Sequence, residues 1–340
     1  MEVFFLDVAQ GTCQVVLIGN RTAIVVDSGT RNSRLPLQFL KRMGIEHLAA
    51  ILTTHSHSDH MGGATAILGE YGDRVDSIGF VQDDLFLDTP YWKRICEWIE
   101  DGTIHRSQLI RLECSANPRV VWPNDSSRQS ALQDAALRVF APLPVQNLQA
   151  QQQQNPNATS AVLVLDVGTK RIIFAADSEM VQWQDIHQSH GTIPCDVMSV
   201  PHHGGAIHGS AAELAWLYQD AMNPGIAIIS LGTTNTYGHP REDVVQALTS
   251  CGAIVMCTQM TKRCSEDLES VRRRHLVQRY LGASSTTPHY TAAGNSRNVA
   301  CAGSIRVEIS RDHLTVDLLS AHQSMVDKLP VHPVCPLCRK

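Results

Sequence analysis

The chain has 340 residues, 43% hydrophobic and 18% charged, with a formal net charge of −5, which excludes a disordered chain and leaves room for a sizeable core. The mild acidity speaks against a surface coated in nucleic acid, though it leaves room for a local basic groove. With no run of 18 apolar residues and no basic start ahead of an apolar stretch, neither a membrane span nor a signal peptide is expected, so the 10 cysteines read as reduced thiols of a cytoplasmic protein.

Residues 3–8, 13–18 and 22–27 read as three short strands separated by turn signals at Gln10-Gly11 and Gly19-Asn20-Arg21. Helical periodicity over 35–43, closed by Gly44, leads into an apolar strand at 49–53. A helix over 64–70 and a strand over 75–82 follow. Residues 83–135, with Trp92, Trp98 and Trp122, are expected to form helices plus a strand at 109–112. A strand at 137–140 precedes a polar low-complexity loop at 149–155. Residues 161–166 and 171–176 read as a hairpin, after which helices at 180–188, 210–219 and 241–250 alternate with strands at 197–200, 226–231 and 253–258. Residues 260–300 break this rhythm and read as an insertion, with basic residues at Lys262-Arg263 and Arg272–Arg274. A final hairpin is expected from 304–309 and 314–318. One domain over 1–320 with a tail over 321–340 is the expected organisation.

The most informative stretch is His55-Ser56-His57-Ser58-Asp59-His60, which follows a buried strand and precedes Gly62-Gly63. Alternate residues of an extended loop face opposite sides, so His55 and His57 are expected to serve one metal and Asp59 and His60 a neighbour. Imidazole with carboxylate suits zinc, and manganese where oxygens are numerous. The competing reading is a polar surface loop. Further donors are expected at strand ends: Asp177 as a bridging carboxylate, His202 as a ligand, and His203 and His239 nearby. Asp27 is expected to orient a ligand histidine rather than to bind metal itself.

Together with residues 5–12, 24–29 and 158–165, with Val200-Pro201-His202-His203-Gly204 and with Asn235-Thr236-Tyr237-Gly238-His239-Pro240, these pieces resemble the metallo-β-lactamase superfamily, and within it the hydrolase domain of ComEC DNA-uptake proteins. The resemblance runs over residues 3–258, with 301–305 similar to the closing strand. It implies an α/β (αββα) sandwich with a dinuclear centre at the edge between two sheets, and nuclease activity. Ala9 and Thr12 stand where the family has Gly and Asp. The histidine that many relatives place between the metal loop and the bridging Asp is missing, and Ser160 or Asn157 is a candidate to approach instead.

The expected chemistry is metal-assisted hydrolysis by two divalent cations, zinc or manganese, held by His55, His57, Asp59, His60, Asp177 and His202. Asp59 is expected to take the proton of the attacking water. His203 or His239 is expected to stabilise the transition state or protonate the leaving oxygen. Asn235 and Tyr237 are candidate substrate contacts. The expected substrate is a nucleic acid or other phosphodiester; a small ester, thioester, lactone or cyclic nucleotide is the alternative, and a non-catalytic scaffold the third reading. The basic residues at 262–274 suit either a phosphate backbone or a solvated helix face paired with Glu266, Asp267 and Glu269. Cys335-x-x-Cys338 beside His332, with Cys257, Cys264 and Cys301 upstream, offers ligands for a structural zinc; the competing reading is scattered thiols.

Overall fold

The structure, a computed structural model, describes residues 1–82, 84–115, 117–123, 134–153, 155–264, 298–317 and 319–328. Two sheets account for its strands. The first contains β1 (Glu2–Phe5), β2 (Gln14–Ile18), β3 (Thr22–Val26), β4 (His47–Thr53), β5 (Ile78–Phe80) and β6 (Leu109–Arg111). The second contains β7 (Arg119–Trp122), β8 (Ala135–Ala141), β9 (Val162–Val167), β10 (Lys170–Phe174), β11 (Val197–Ser199), β12 (Ile226–Ile229) and β13 (Ile254–Cys257). The chain then returns to the first sheet through β14 (Ile305–Ile309) and β15 (Leu314–Val316). The strand orders are β15-β14-β1-β2-β3-β4-β5-β6 and β13-β12-β11-β10-β9-β8-β7.

Both sheets are covered on both faces, which is why their strands read as nearly continuous apolar runs. Phe5, Val16, Ile24 and Leu52 from the first sheet meet Leu163, Leu165, Ile172 and Phe174 from the second. Phe4, Val15, Val25 and Ile51 face outward onto Phe39 and Leu40 of helix Leu35–Arg42, Ile67 and Leu68 of helix Ala64–Tyr71, and Ile95 of helix Pro90–Glu100. Val164, Ile173, Met198 and Ile229 face the opposite way onto Trp183 and Ile186 of helix Met180–His190 and Val245 and Leu248 of helix Glu242–Ser250. The result is an αββα sandwich, as expected.

Pairing direction positions the site. β3 and β4 are parallel in the first sheet, and β10, β11 and β12 in the second. The segments leaving their carboxyl ends carry Asp27, His55–His60, Asp177, His202–His203 and residues 235–240, and these converge at one edge of the sandwich.

Three expectations change. Residues 149–152, read as loop, belong to helix Pro144–Gln152, because a Gln-rich stretch without Gly or internal Pro costs a helix little. β7 was not expected; it pairs with β8 through Val120 and Trp122. The strand over 75–82 contracts to Ile78–Phe80, since only those residues ladder between β4 and β6. Among the described residues no helix is long and apolar enough to cross a membrane. Arg272–Arg274, Glu266, Asp267, Glu269, His332, Cys335 and Cys338 lie outside the described residues.

Candidate metal centre

The loop after β4 is not extended throughout. His57 keeps extended backbone (φ −66°, ψ 142°), and Ser58–Met61 then form a helical turn that presents Asp59 and His60. Two glycines let this turn sit tightly. A Cβ on Gly62 would lie 2.2 Å from the Arg31 backbone nitrogen, and one on Gly11 (φ +107°) 2.1 Å from the Asp59 carbonyl oxygen.

Two groups of donors result, each with its donor atoms within 4.8 Å of one another: His55, His57 and Asp177, then Asp59, His60 and His203. Asp177 divides its carboxylate between the two sides. Oδ2 lies 3.7 Å from His55 Nε2 and 3.9 Å from His202 Nε2. Oδ1 lies 3.1 Å from His60 Nε2 and 3.5 Å from His203 Nε2, which is itself 3.6 Å from Asp59 Oδ2. His55 Nε2, His60 Nε2, His203 Nε2 and Asp177 Oδ1 are buried and make no hydrogen bond. Four such orphaned atoms aimed at one another would be costly as they stand. Divalent cations satisfy them, so the donor set fits a metal pair.

The backs of the rings are anchored, which fixes tautomer and direction. His60 Nδ1 lies 2.7 Å from Asp27 Oδ2. Asp27 also accepts from the Thr54 backbone N–H (2.9 Å), Thr54 Oγ1 (2.8 Å) and Thr12 Oγ1 (2.9 Å). His203 Nδ1 donates to the Ser230 carbonyl at 2.8 Å and His202 Nδ1 to the Ala206 carbonyl at 2.7 Å. Gln10 Nε2 donates to Asp59 Oδ2 at 3.3 Å.

The groups polarise one another strongly. Burial and then His60 hold the His55 pKa well below its ordinary value. Burial disfavours a charged His60, but Asp177 and Asp27 outweigh it and hold that pKa well above ordinary. Burial would raise the Asp177 carboxyl, yet His60 and His203 prevail and keep it ionised. Asp59 is lowered in the same way, by His60 and His203 against burial. Burial, aided by His203 and His202, pushes His239 down to about 4.

A pocket of about 220 Å³ opens onto the centre, lined by Gln10, His57, Ser58, Asp59, Asp177, His202, His203, Tyr237 and His239. Tyr237 is 71% exposed, and its ring stacks on His239 at 5.7 Å and 15°. Asn235 does not line the pocket. Its side chain accepts from the His239 N–H (2.9 Å) and donates to the Gly232 carbonyl (2.9 Å), so it shapes the loop rather than presenting itself as a substrate contact.

The two adjacent histidines exchange emphasis relative to expectation. His203, expected with His239 to stabilise the transition state or protonate the leaving oxygen, is the buried member of the Asp59–His60 group; His202, expected as a ligand, stands at the rim beside Asn157, whose Nδ2 is 3.4 Å from its Nε2. The reason is backbone. Both residues have positive φ, 50° and 55°, which turns consecutive side chains to the two sides of Asp177. Ser160 Oγ is buried without a hydrogen-bond partner. The supporting roles of Gln10, Thr12 and Thr54 are not in the sequence reading, where Gln10-Gly11 is a turn signal and residues 5–12 carry part of the family resemblance.

Residues 8–78, which include the metal loop but not Asp177, match the family profile described as Metallo-beta-lactamase superfamily. The chain is 26% identical over 267 residues to "ComE operon protein 3" of Bacillus subtilis (strain 168), covering 73% of this chain and 30% of that protein. It is 26% identical over 253 residues to "Recombination protein 2" of Haemophilus influenzae, covering 73% and 26%. The match therefore spans under a third of the length of these relatives. Among solved structures, the short form of human tRNase Z aligns at 12% identity and TM-score 0.41 over 77% of this chain and 93% of that one. Zn(2+)-bound PqqB from Methylobacterium extorquens aligns at 11% and 0.41 over 75% and 97%. Residues 8–78 thus match a metallo-β-lactamase superfamily domain that brackets the metal loop, on a fold of two helix-covered sheets, and the chain is similar in sequence to ComE operon protein 3 and Recombination protein 2.

Proposed function

We propose that the chain is a metal-dependent phosphodiesterase with nucleic acid as its substrate class. Asp177 carries this reading, because its two oxygens face two separate groups of imidazole and carboxylate donors. In the proposed assignment His55, His57 and Asp177 would hold one divalent cation, with His202 at the rim as a further ligand where the family histidine is missing. Asp59, His60 and His203, with Asp177 shared between the two groups, would hold the other; zinc and manganese both suit such a set. When bound, a pair of this kind lowers the pKa of water and clamps the attacking and leaving oxygens of an in-line displacement.

The remaining residues would handle the substrate. Gln10 holds the Asp59 carboxylate at the pocket wall, where it can take a proton from attacking water. Tyr237, backed by His239, offers an exposed aromatic face on which a base can stack. Arg263 Nε donates to the Gly238 carbonyl at 3.0 Å and brings a cation to the same loop. That one relative carries the name "Recombination protein 2" agrees with a nucleic-acid substrate. One observation favours the small-ester alternative: among the described residues no lysine or arginine lines the pocket itself.

Metal-loaded protein assayed on single- and double-stranded DNA, RNA, a generic phosphodiester and small esters tests the reading. Phosphodiester cleavage that is absent in His57→Ala, and weakened about 5- to 150-fold in Tyr237→Ala on nucleic acid, is the expected result. Cleavage restricted to neutral esters and indifferent to ionic strength would transfer the assignment to the alternative.

A further inference from the structure

The pocket over the metal centre has its cationic side chains at the rim, with a group on each wall. On the first-sheet wall, residues 30–34 lead from the end of β3 into helix Leu35–Arg42. They fit closely against the metal loop. A Cβ on Gly62 would lie 2.2 Å from the Arg31 backbone nitrogen and 2.4 Å from the carbonyl oxygen of Ser58, a residue that lines the pocket. Arg31 and Arg34 are both exposed. Among the described residues no carboxylate pairs with either, and the first turn of the helix carries no acidic residue to offset them.

On the second-sheet wall Arg263 Nε donates to the Gly238 carbonyl at 3.0 Å, between Tyr237 and His239, which both line the pocket. A guanidinium carries a rigid fork of N–H donors, and this bond uses only the Nε one. Its terminal nitrogens have no acceptor among the described residues, and Nη2 lies 3.9 Å from where a Cβ on Gly238 would stand. Lys262 beside it is exposed and also lacks a carboxylate partner among the described residues. By contrast Arg21, at the amino end of β3 and so at the edge away from the site, is neutralised by Glu46 at 2.6 Å. Free guanidiniums thus stand on opposite walls of one pocket, and each can take a phosphate through two parallel hydrogen bonds.

We propose that Arg31, with Arg34, and Arg263 bind the phosphates on either side of the scissile one, so that the centre takes a continuous single strand and cuts it internally, a role that rests on the phosphodiesterase reading and narrows its substrate. The pocket floor is lined by metal donors, and a guanidinium among them would oppose cation binding. The rim is where flanking phosphates find positive charge. Action at a chain end would need a cation on one wall only, and a small ester would need neither. Tyr237 stands between Arg263 and the pocket, and its exposed ring stacks a base only where that base is unpaired. Cleavage is hydrolysis: water forms the new P–O bond, one P–O ester bond breaks, and the sugar oxygen leaves with a proton.

The test reads binding and cleavage separately on the full chain. Affinity for a fluorescent oligothymidylate is measured against salt concentration, where each phosphate contact on a single strand contributes about 0.7 to the logarithmic slope. Arg31→Ala and Arg263→Ala should each flatten the slope by about 0.7 and the double variant by about 1.4, whereas Arg21→Ala should leave it unchanged. Metal-loaded wild type should also open closed circular single-stranded DNA. Wild type that does not bind the oligothymidylate overturns the proposal, as does an unchanged slope in either rim variant. Cutting of linear strands with circles left intact overturns it as well. Hydrolysis of a generic phosphodiester with unchanged slopes would sink the rim contacts and leave the phosphodiesterase reading standing. Flattened slopes in a protein that cuts no phosphodiester would sink that reading and leave the rim contacts standing.

Discussion

Residues 54–60 deliver their donors from a single turn after β4, whereas the second sheet delivers Asp177, His203 and His202 from two strand ends, with His239 from a third. The first group is supported by its neighbours in the first sheet: Asp27, Thr54 and Thr12 form a buried hydrogen-bonded cluster behind His60. The second is held by backbone bent into the left-handed region, at Ala176 (φ 48°), His202 (φ 50°) and His203 (φ 55°). This backbone is clamped by bonds such as His202 N–H to the Ala176 carbonyl (2.9 Å) and Arg241 N–H to the Gly204 carbonyl (2.8 Å). The first half is organised mainly by a side-chain network centred on Asp27, which is itself left-handed (φ 56°), and the second by three left-handed residues that strand packing over-determines. Asp177 is where they join.

The largest effect is expected where the halves meet. Asp177→Asn removes charge from both donor groups, so metal analysis should find both cations weakened by more than about 100-fold, beyond the loss typical of an outer partner. Retention of one tightly held cation would show that the halves are independent. Asp27→Asn acts on the first sheet's network alone and should cost about 10–100-fold in affinity for one cation. Competitive metal titration checks it, and an equal loss at both positions would break the distinction.

Smaller changes probe the strained half. Ala176→Gly relieves a left-handed residue of about 1 kcal/mol or more while adding a comparable entropy to the unfolded chain. Denaturant melting should therefore show a change within about 1 kcal/mol and in the stabilising direction; a clear loss would mean the Ala176 methyl, not the turn, is what matters. The smallest effect belongs to Asp243, just beyond this half, whose carboxyl Arg241 holds below its ordinary value through contacts of 2.9 and 2.7 Å. A lowered folded pKa means stability that is present above the unfolded value near 3.8 and is lost as pH falls through the folded one. Because both side chains are more than a third exposed, Asp243→Asn should cost under about 1 kcal/mol at pH 7, and the cost should shrink as pH falls below 3.8.

Legibility in the sequence follows the same divide. The metal loop could be read directly because its four donors cluster in six residues and follow a buried strand, and the strand–helix alternation was readable from short apolar runs between turn signals, whereas the two-sheet arrangement came only through family resemblance. Asp177 and the His202-His203 pair were reachable through their place at strand ends and through family resemblance. Their individual orientations were not, since two neighbouring positive-φ residues obey no helical or strand period. Gln10, Thr12 and Thr54 gave no signal of their own, because a supporting hydrogen bond leaves no spacing rule in the chain.

Cys301 and His322 mark the same limit. They stand 21 residues apart in the sequence, and only the packing of helix Leu319–Lys328 brings Cys301 Sγ within 3.2 Å of His322 Nε2. By itself the sequence determined the strand–helix alternation, the presence of a metal loop and the kind of chemistry its donors support, because these rest on local periodicity and ligand type; the sandwich was legible only as what the family resemblance implies. Tertiary structure alone decided that Asp177 faces two ways, that His203 rather than His202 is the buried partner of His60, and that a thiol meets an imidazole on the far layer. Those outcomes depend on which strand ends share an edge and how the backbone turns there, and no local pattern encodes either.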